Sequence, residues 1–231
     1  MVKNLEWDSD FFGYPVGLKI INSIDEFHLN PLLEELKKFK LIYIFSDVEL
    51  PKNSKLNHVD TKVDFYKSLE NDFEVLETEE FDLKIHSYEE LLDLAFLSGN
   101  LSRFKVDSNF SNNEFEKLYK EWVNNSINKK IAFKTFVKTV QKKVVGFITL
   151  GEKDADTAKI GLIAVNEMFQ GKRIASKLIK SCEIISKQNK YAGLEVSTQF
   201  SNNQAMAFYK KNDFEINKIT YIYHLWNYDT I

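Results

Sequence analysis

A short segment in the C-terminal half of the sequence has the residue types that hold a phosphate. Residues 163–175 (IAVNEMFQGKRIA) follow an apolar stretch and lead into a helical pattern. The first backbone N–H groups of a helix lack internal partners and lie at the positive end of its dipole, so a pyrophosphate can accept bonds from several of them. Gly171 and Ala175 let a phosphate approach the backbone, and Lys172 and Arg173 add positive charge. The alternative is an ordinary strand-loop-helix connection.

A second segment, residues 202–214 (NNQAMAFYKKNDF), carries a phenol on a predicted helix. Asn202 is of the type that caps a helix, because its side chain accepts a bond from a free backbone N–H group. Tyr209 follows about two helical turns later. A phenol with a pKa of about 10 can donate a proton to a leaving group. Alternatively, Tyr209 is a half-buried aromatic residue of a core-facing helix.

Together the two segments resemble the coenzyme A motifs of the GNAT superfamily of N-acyltransferases. Residues 170–175 are similar to the family's Arg/Gln-x-x-Gly-x-Gly/Ala, with matches at Gln170, Gly171 and Ala175, and Arg173 occupies the place of the usual middle glycine. The amide of Arg173 can still face a phosphate if the backbone is helical there and the side chain turns away. The resemblance implies that the pyrophosphate of acetyl-CoA is bound by Gln170, Gly171, Lys172, Arg173, Ile174 and Ala175.

The second segment resembles the family's Asn-x-x-Ala-x-x-x-Tyr-x-x-x-Gly-Phe. Asn202, Ala205, Tyr209 and Phe214 are in register, and Asp213 replaces the glycine. The resemblance implies that Tyr209 is the general acid that protonates the departing thiolate, that Asn202 acts beside it, and that the small Ala205 lets the cofactor pass closely. It also implies that the pantetheine arm pairs, at a bulged and splayed strand end, with the backbone of Leu162, Ile163, Ala164 and Val165.

The N-terminal segment points to an acceptor. Residues 5–15 (LEWDSDFFGYP) look like the opening of TDP-fucosamine acetyltransferases, which acetylate the 4-amino group of a nucleotide-linked 4-amino-4,6-dideoxyhexose; residues 102–104 and 198–202 also look similar to their counterparts. Arginine can bind a diphosphate through two parallel bonds, and aromatic rings can stack on a sugar or a base. The residues expected to bind this acceptor are Arg103, Trp7, Phe12 and Gln199. Alternatively, the aromatic residues close a core and the arginine is an ordinary surface charge.

The sequence does not identify the general base. Glu6, Asp8, Asp10 and Asp64 are all carboxylate candidates, and their spacing favours none of them. The four histidines and Cys182 form no cluster with metal-ligand spacing, and no Gly-x-Ser-x-Gly occurs. The sequence therefore indicates neither a metal site nor a serine hydrolase.

Composition narrows the range of partners. The net charge of −3 mixes both signs along the chain, so the basic footprint of nucleic-acid or anionic-lipid binding is missing. With 44% hydrophobic residues the chain can bury a core. One cysteine, an opening unlike a signal peptide and no long apolar run predict a cytoplasmic protein without a membrane span. We expect a small-molecule amine as partner, and a homodimer is left open.

The elements that must position these residues alternate between helix and strand. Strands over residues 16–21 and 41–45 flank a helix over residues 31–39, which is a β-α-β unit, and a further strand is predicted over residues 61–69. The acidic residues 70–80 suggest a junction. We therefore predict a small N-terminal αβ subdomain, residues 1–80, that helps to bind the acceptor, and an acetyltransferase domain, residues 81–231.

The second part has a longer series of predicted elements. Two helices, then a hairpin and a strand, precede the phosphate-binding segment, and a helix, a strand, a helix and two strands follow. The predicted ranges are 88–97, 114–124, 130–138, 143–150, 159–165, 174–189, 193–197, 203–212, 214–216 and 220–226. The predicted fold class is mixed α/β, a GNAT fold whose mixed, mostly antiparallel sheet is flanked by helices.

Two other functions stay open. One is a GNAT enzyme that acetylates a different small amine or a protein N-terminus. The other is a non-catalytic module that binds coenzyme A, which the replacements at Arg173 and Asp213 favour and Tyr209 disfavours.

Overall fold

The computed structural model describes residues 1–53, 55–70 and 76–228. The chain divides into two compact units, and segments distant in sequence contribute to each. The first unit contains Met1–Val63, Gln199–Ser201 and Lys218–Ile231, and the second contains Asp64–Thr198 and Asn202–Asn217. The predicted division near residue 80 differs from this one, and residues 218–231 lie with the N-terminal part rather than with the rest of the predicted acetyltransferase domain.

The first unit contains two helices and a mixed set of strands, of which β2 and β3 are parallel. Its elements are β1 (Lys3–Asn4), α1 (Glu6–Phe12), β2 (Val16–Ile21), α2 (Leu29–Leu36) and β3 (Leu41–Ser46), with parts of β4 (Leu56–Ser68) and β10 (Glu215–Trp226). Strands β2 and β3 pair in parallel, which confirms the predicted β-α-β unit. The strand order in this unit is β1-β2-β3-β10-β4. The near-continuous apolar sequence of β3 fits a strand with neighbours on both sides, and Ile42 and Ile44 are fully buried in the core.

The second unit has a sheet with helices packed against it. Its elements are β5 (Glu79–Glu80), α3 (Tyr88–Ser98), α4 (Arg103–Val106), α5 (Glu114–Ile127), β6 (Lys134–Val140), β7 (Lys143–Glu152), β8 (Thr157–Val165), α6 (Ile174–Gln188), β9 (Gly193–Gln199) and α7 (Asn203–Lys211). The strand order is β4-β9-β8-β7-β6-β5. Helix α3 contacts β7 and β8, and α6 contacts β6, β7 and β8. This confirms the predicted mixed sheet flanked by helices.

Two local features shape the sheet of the second unit: a tight turn between two strands and a glycine that faces a helix. Gln141 and Lys142 both have positive φ, 51° and 67°, and connect β6 to β7, as a two-residue type I′ hairpin turn requires. Gly146 on β7 lets α6 approach closely, since a Cβ there would lie 2.9 Å from Cγ2 of Ile174. The close approach at Gly146 brings the N-terminus of α6 near the end of β8.

Several predicted boundaries are shifted, and the predicted junction at residues 70–80 lies partly outside the described residues. Helix α2 begins at Leu29 rather than at residue 31, and β4 begins at Leu56 rather than at residue 61. Strand β6 begins at Lys134, because residue 130 still closes the end of α5 through its backbone bond to Asn125. The two predicted final strands are one strand, β10. Residues 217 and 218, between the two predicted ranges, are exposed, so apolar periodicity did not detect that part of the strand.

Candidate functional site

Strands β8 and β9 separate part-way along their length. Their parallel pairing runs from Thr157 opposite Gly193 to Ile160 opposite Val196, and within the described chain no later pair joins them. Strand β8 continues to Val165 with its other edge on β7. The backbone of residues 161–165 therefore has an edge toward β9 that β9 does not occupy.

A bulge accompanies this separation. The pairing of β7 with β8 shifts register between Ile148 and Leu150. The hydroxyl of Thr149 accepts a hydrogen bond of 2.8 Å from the N–H of Leu162 and so satisfies the irregular backbone. Glycine suits position 161 because a Cβ there would lie 2.9 Å from that hydroxyl oxygen. The predicted bulged, splayed strand end is confirmed, and Thr149 is a residue that sequence reasoning missed.

The loop from β8 to α6 presents an uncapped helix N-terminus. Gly171 and Arg173 both have left-handed backbone, with φ of 74° and 60°. Arg173 is the N-cap of α6, and no side chain in the described residues caps this end. The backbone at Arg173 is thus not helical, so the condition stated above for its amide to face a phosphate is not met. It has instead the conformation that a glycine would adopt most readily. The backbone is therefore left-handed here even though arginine replaces the family glycine.

Space and charge at this loop suit an anion. A Cβ at Gly171 would meet no protein atom within 4 Å. Glycine is therefore required here by its φ angle and not by packing. The Lys172 ammonium donates to the carbonyl of Met168 at 3.2 Å and lies 4.6 Å from the ring centroid of Phe169, while its side chain is on the exposed side of the loop. Arg173 is also exposed.

The first turn of α7 lies against this loop. The side chain of Asn202 caps α7 by accepting a 3.0 Å bond from the N–H of Ala205. Gln204 donates to the side-chain oxygen of Gln170 at 3.0 Å, and Gln170 in turn donates to the carbonyl of Val165 at 3.3 Å. One glutamine therefore ties together the end of β8, the loop and α7. The capping alternative for Asn202 is confirmed, and its catalytic role stays a prediction.

Tyr209 is buried on α7, with an exposed fraction of 4%. Its ring lies 5.4 Å from that of Phe65 and 5.9 Å from that of Phe214, measured between centroids. Its hydroxyl forms no hydrogen bond with any residue that the structure describes. Burial raises the pKa of this phenol well above its ordinary value of 10.0, so the group stays protonated at neutral pH. Tyr209 is thus a protonated donor whose hydrogen no described residue accepts.

A helix cap fixes the position of Tyr209. The N–H of Phe214 donates to the carbonyl of Tyr209 at 3.1 Å, and the N–H of Asp213 donates to that of Lys210 at 3.2 Å. Asp213 has a φ of 65°. This is a Schellman motif with aspartate at the left-handed position that glycine usually takes. The replacement of the second family glycine therefore also leaves the backbone in the left-handed conformation.

The predicted acceptor residues are in both units. Trp7, which is 49% exposed, stacks on Phe11 with 5.1 Å between centroids, and Phe12 stacks on Tyr14 at 5.7 Å. Arg103, in the second unit, is half-buried, and its guanidinium lies 4.6 Å from the ring centroid of Phe104. Within the first unit the N-terminal rings thus form two stacked pairs on α1 and the turn after it, joined by an edge-to-face contact between Phe11 and Phe12 at 5.0 Å.

Gln199 is in the first unit and is half-buried at the last position of β9. The backbone N–H of the next residue, Phe200, donates to the carbonyl of Thr61 at 2.7 Å.

A buried carboxylate lies on β4 in the second unit. Asp64 is 6% exposed and accepts a 2.5 Å hydrogen bond from the hydroxyl of Ser197 on β9. These residues are 133 positions apart in the chain. Sequence reasoning named the aspartate among four candidates but did not identify its partner.

Comparisons with known proteins identify the family of the chain. A model of the acetyltransferase (GNAT) family matches residues 88–214, more than half of the chain. The spore coat polysaccharide biosynthesis protein SpsD of Bacillus subtilis is 28% identical over 138 residues, which are 60% of this chain and 47% of SpsD. The chain therefore spans about half the length of this relative.

Solved structures show the same fold. A functionally unknown conserved protein from Staphylococcus epidermidis superposes with a TM-score of 0.60 at 10% identity, covering 92% of this chain and 84% of that one. An acetyltransferase of the GNAT family from Colwellia psychrerythraea superposes with a TM-score of 0.55 at 14% identity, covering 85% and 71%. In the described residues, no helix is both long and apolar enough to cross a membrane.

Proposed function

This chain belongs to the GNAT family of acetyltransferases, and from that premise we propose that it transfers an acetyl group from acetyl-CoA to the 4-amino group of a nucleotide-linked 4-amino-4,6-dideoxyhexose. The observation that carries the proposal is the separation of β8 from β9 after Ile160, close to an uncapped helix N-terminus. An open strand edge and a set of free N–H groups are the two features that a pantetheine arm and a pyrophosphate need.

The residues present fit coenzyme A. The N-terminal N–H groups of α6, with Gly171 and Ala175 beside them, would hold the pyrophosphate, and Lys172 and Arg173 add charge. The backbone of residues 162–165 would pair with the pantetheine arm along the edge that β9 leaves open. Acetyl-CoA, when bound, supplies the acetyl group as a thioester.

Tyr209 has the properties of the proton donor. Burial keeps its phenol protonated, and the Schellman motif at Asp213 fixes the turn that carries it. In this role the phenol gives its proton to the sulfur as the carbon–sulfur bond breaks. Asn202 would act indirectly, because its cap sets the start of α7, two turns before the phenol.

Two observations support a nucleotide-linked amino sugar as acceptor. The cluster of partly exposed rings formed by Trp7, Phe11, Phe12 and Tyr14 is of the kind that binds a base or a sugar face. The relative SpsD is named for polysaccharide biosynthesis, which places a sugar among the substrates to test here. Arg103 would bind the diphosphate and Gln199 the sugar.

The experiment is a competition among amines. The purified protein would be given acetyl-CoA with a thymidine diphosphate 4-amino-4,6-dideoxyhexose, spermidine or a peptide with a free N-terminus, and products would be identified by mass spectrometry. We expect the nucleotide sugar to gain one acetyl group much faster than the other two amines. Preferential acetylation of spermidine or of the peptide would refute the acceptor, and binding of acetyl-CoA without transfer to any amine would favour a non-catalytic module.

Two variants would localise the acceptor. Trp7→Ala and Arg103→Ala should each raise the KM for the nucleotide sugar and leave the affinity for coenzyme A unchanged. An unchanged KM in both variants would mean that these side chains have only structural roles.

A further inference from the structure

The pair formed by Asp64 and Ser197 is placed where β8 and β9 separate. Val196 is the last residue of β9 that pairs with β8, so Ser197 is the first residue of β9 beyond the pairing. Its hydroxyl donates to Asp64 at 2.5 Å. Burying a carboxylate is costly unless strong hydrogen bonds compensate, and here a hydroxyl beside the open strand edge supplies one.

The pair and Tyr209 lie on opposite faces of β4. Phe65 contacts the ring of Tyr209. Because successive side chains of a strand point to opposite faces, Asp64 is directed away from α7. Lys67 shows the same alternation, since it lies on the Phe65 face and forms an ion pair of 2.6 Å with Glu183 of α6. The proton donor therefore lies on the Phe65 face of β4, and the carboxylate of the neighbouring residue, Asp64, lies on the opposite face.

We infer that Asp64, acting through Ser197, accepts the proton that the attacking amine loses, an inference that rests on the proposed acetyl transfer. As the carbon–nitrogen bond forms and the carbon–sulfur bond breaks, the nitrogen gives one proton to the oxygen of Ser197. That hydroxyl gives its own proton to the carboxylate of Asp64. Tyr209 supplies the proton that the sulfur takes. Solvent later removes the proton from Asp64 and returns one to Tyr209, so both groups are restored.

Another buried carboxylate on this face is paired with two lysines. Glu195, two residues before Ser197, is 3% exposed and forms ion pairs with Lys153 and Lys159. The hydrogen bond that Lys153 donates to Glu195 is the largest cause of the raised pKa of Lys153, and the charge of Asp64 adds to it. Lys153 therefore stays charged, and Glu195 is fully engaged by two lysines. Asp64 accepts a hydrogen bond from the hydroxyl of Ser197, a group that can relay a proton.

The remaining candidates from the sequence are situated differently. Glu6 and Asp10 are exposed on α1, and Asp8 is half-buried there. Exposed carboxylates exchange protons with bulk water, whereas a positioned base acts through a fixed hydrogen bond. The burial of Asp64 and its hydrogen bond with Ser197 thus distinguish it from the exposed carboxylates of Glu6 and Asp10.

The test compares Asp64→Asn, Ser197→Ala and the double variant, in the full chain, with acetyl-CoA and the thymidine diphosphate 4-amino sugar. Glu195→Gln is the matched control, since it neutralises a buried carboxylate on the same face. Each measurement of kcat is accompanied by the calorimetric Kd for coenzyme A and by the melting temperature. If Asp64→Asn does not fold, Ser197→Ala decides the question.

We expect each single variant to lose about 100-fold or more in kcat, as for removal of a positioned base. The double variant should lose no more than one single variant, because the two groups act as one unit. The Kd for coenzyme A should stay within about twofold, and Glu195→Gln should lower the melting temperature with kcat retained. An unchanged kcat in Ser197→Ala, or losses that multiply in the double variant, would overturn the inference while the function stands. A wild-type protein that transfers acetyl to no amine would refute both.

Discussion

Replacing Tyr209 by phenylalanine separates catalysis from folding. The substitution removes one hydroxyl and keeps the ring that packs on Phe65 and Phe214. Removing a hydroxyl that is hydrogen-bonded within the protein costs about 1 kcal/mol of folding free energy. The Tyr209 hydroxyl has no such bond in the described residues. The free energy of unfolding should therefore change by less than about 0.5 kcal/mol, as for a substitution that breaks no named interaction.

The effect on turnover should be large. A positioned general acid contributes about 10²- to 10⁴-fold in rate, or roughly 3 to 5 kcal/mol of transition-state stabilisation. The proposed contacts to coenzyme A are backbone bonds that this substitution leaves in place. The loss should thus appear in kcat and not in the Kd for coenzyme A.

Tyr88→Phe is the matched control for this prediction. Its half-buried hydroxyl donates to the side chain of Asn124 at 2.8 Å. The control should lose about 1 kcal/mol of stability and keep its kcat. The measurements are steady-state kinetics, calorimetry and denaturant unfolding of both variants. If Tyr209→Phe keeps its kcat while chemistry limits the rate, Tyr209 is a packing residue and the assignment fails.

Three further predictions concern the backbone and pH. Arg173→Gly should relieve the strain of a left-handed φ of 60° and stabilise the protein by about 1 kcal/mol. This corresponds to a rise of roughly 2 to 4 °C in Tm. An unchanged or lower Tm would mean that the Arg173 backbone is not strained. Asp213→Gly should stabilise the cap of α7 by a similar or smaller amount without loss of kcat. Its control is Lys190→Gly, at the corresponding position after α6, where φ is 68°. Burial raises the pKa of Tyr209 above 10.0, so the unfolded chain ionises first and stability should fall as pH rises past about 10. Urea unfolding should show a steeper fall for the wild type than for Tyr209→Phe, and equal slopes would mean that this phenol is not buried.

Local sequence signals predicted most elements of the fold. Strand β2 and the β6–β7 hairpin follow from apolar patterning and from a short polar turn, so they are set by nearby residues. The division into units depends instead on β10, which pairs with β3 from Tyr221 opposite Ser46 to Trp226 opposite Leu41. No periodicity in either strand reveals a partner so distant in sequence. A linear boundary near residue 80 could therefore not match it.

In the candidate site, too, only the features that neighbouring residues determine could be predicted. Gln170, Gly171 and Tyr209 were identified from motifs because neighbouring residues determine the loop and the helix that carry them. The left-handed backbone at Arg173 and Asp213 was not apparent, since arginine and aspartate do not signal it as glycine does. The bond between Ser197 and Asp64 joins two strands of the folded sheet. Only the strand order places that pair beside the open edge of β8.

The central claim is that the loop around Gly171 binds coenzyme A, and calorimetric titration of coenzyme A into three forms of the protein tests it most directly. Gly171 and Gly13 have nearly the same backbone, with φ of 74° and 76°, and a Cβ at either position would meet nothing within 4 Å. Gly171→Ala and Gly13→Ala should therefore lose similar stability, about 1 to 2 kcal/mol each. The wild type and Gly13→Ala should bind coenzyme A equally, whereas Gly171→Ala should bind about tenfold or more weakly, a loss of about 1.4 kcal/mol. Equal affinity in all three forms, or no binding by the wild type at about 1 mM coenzyme A, would contradict the account.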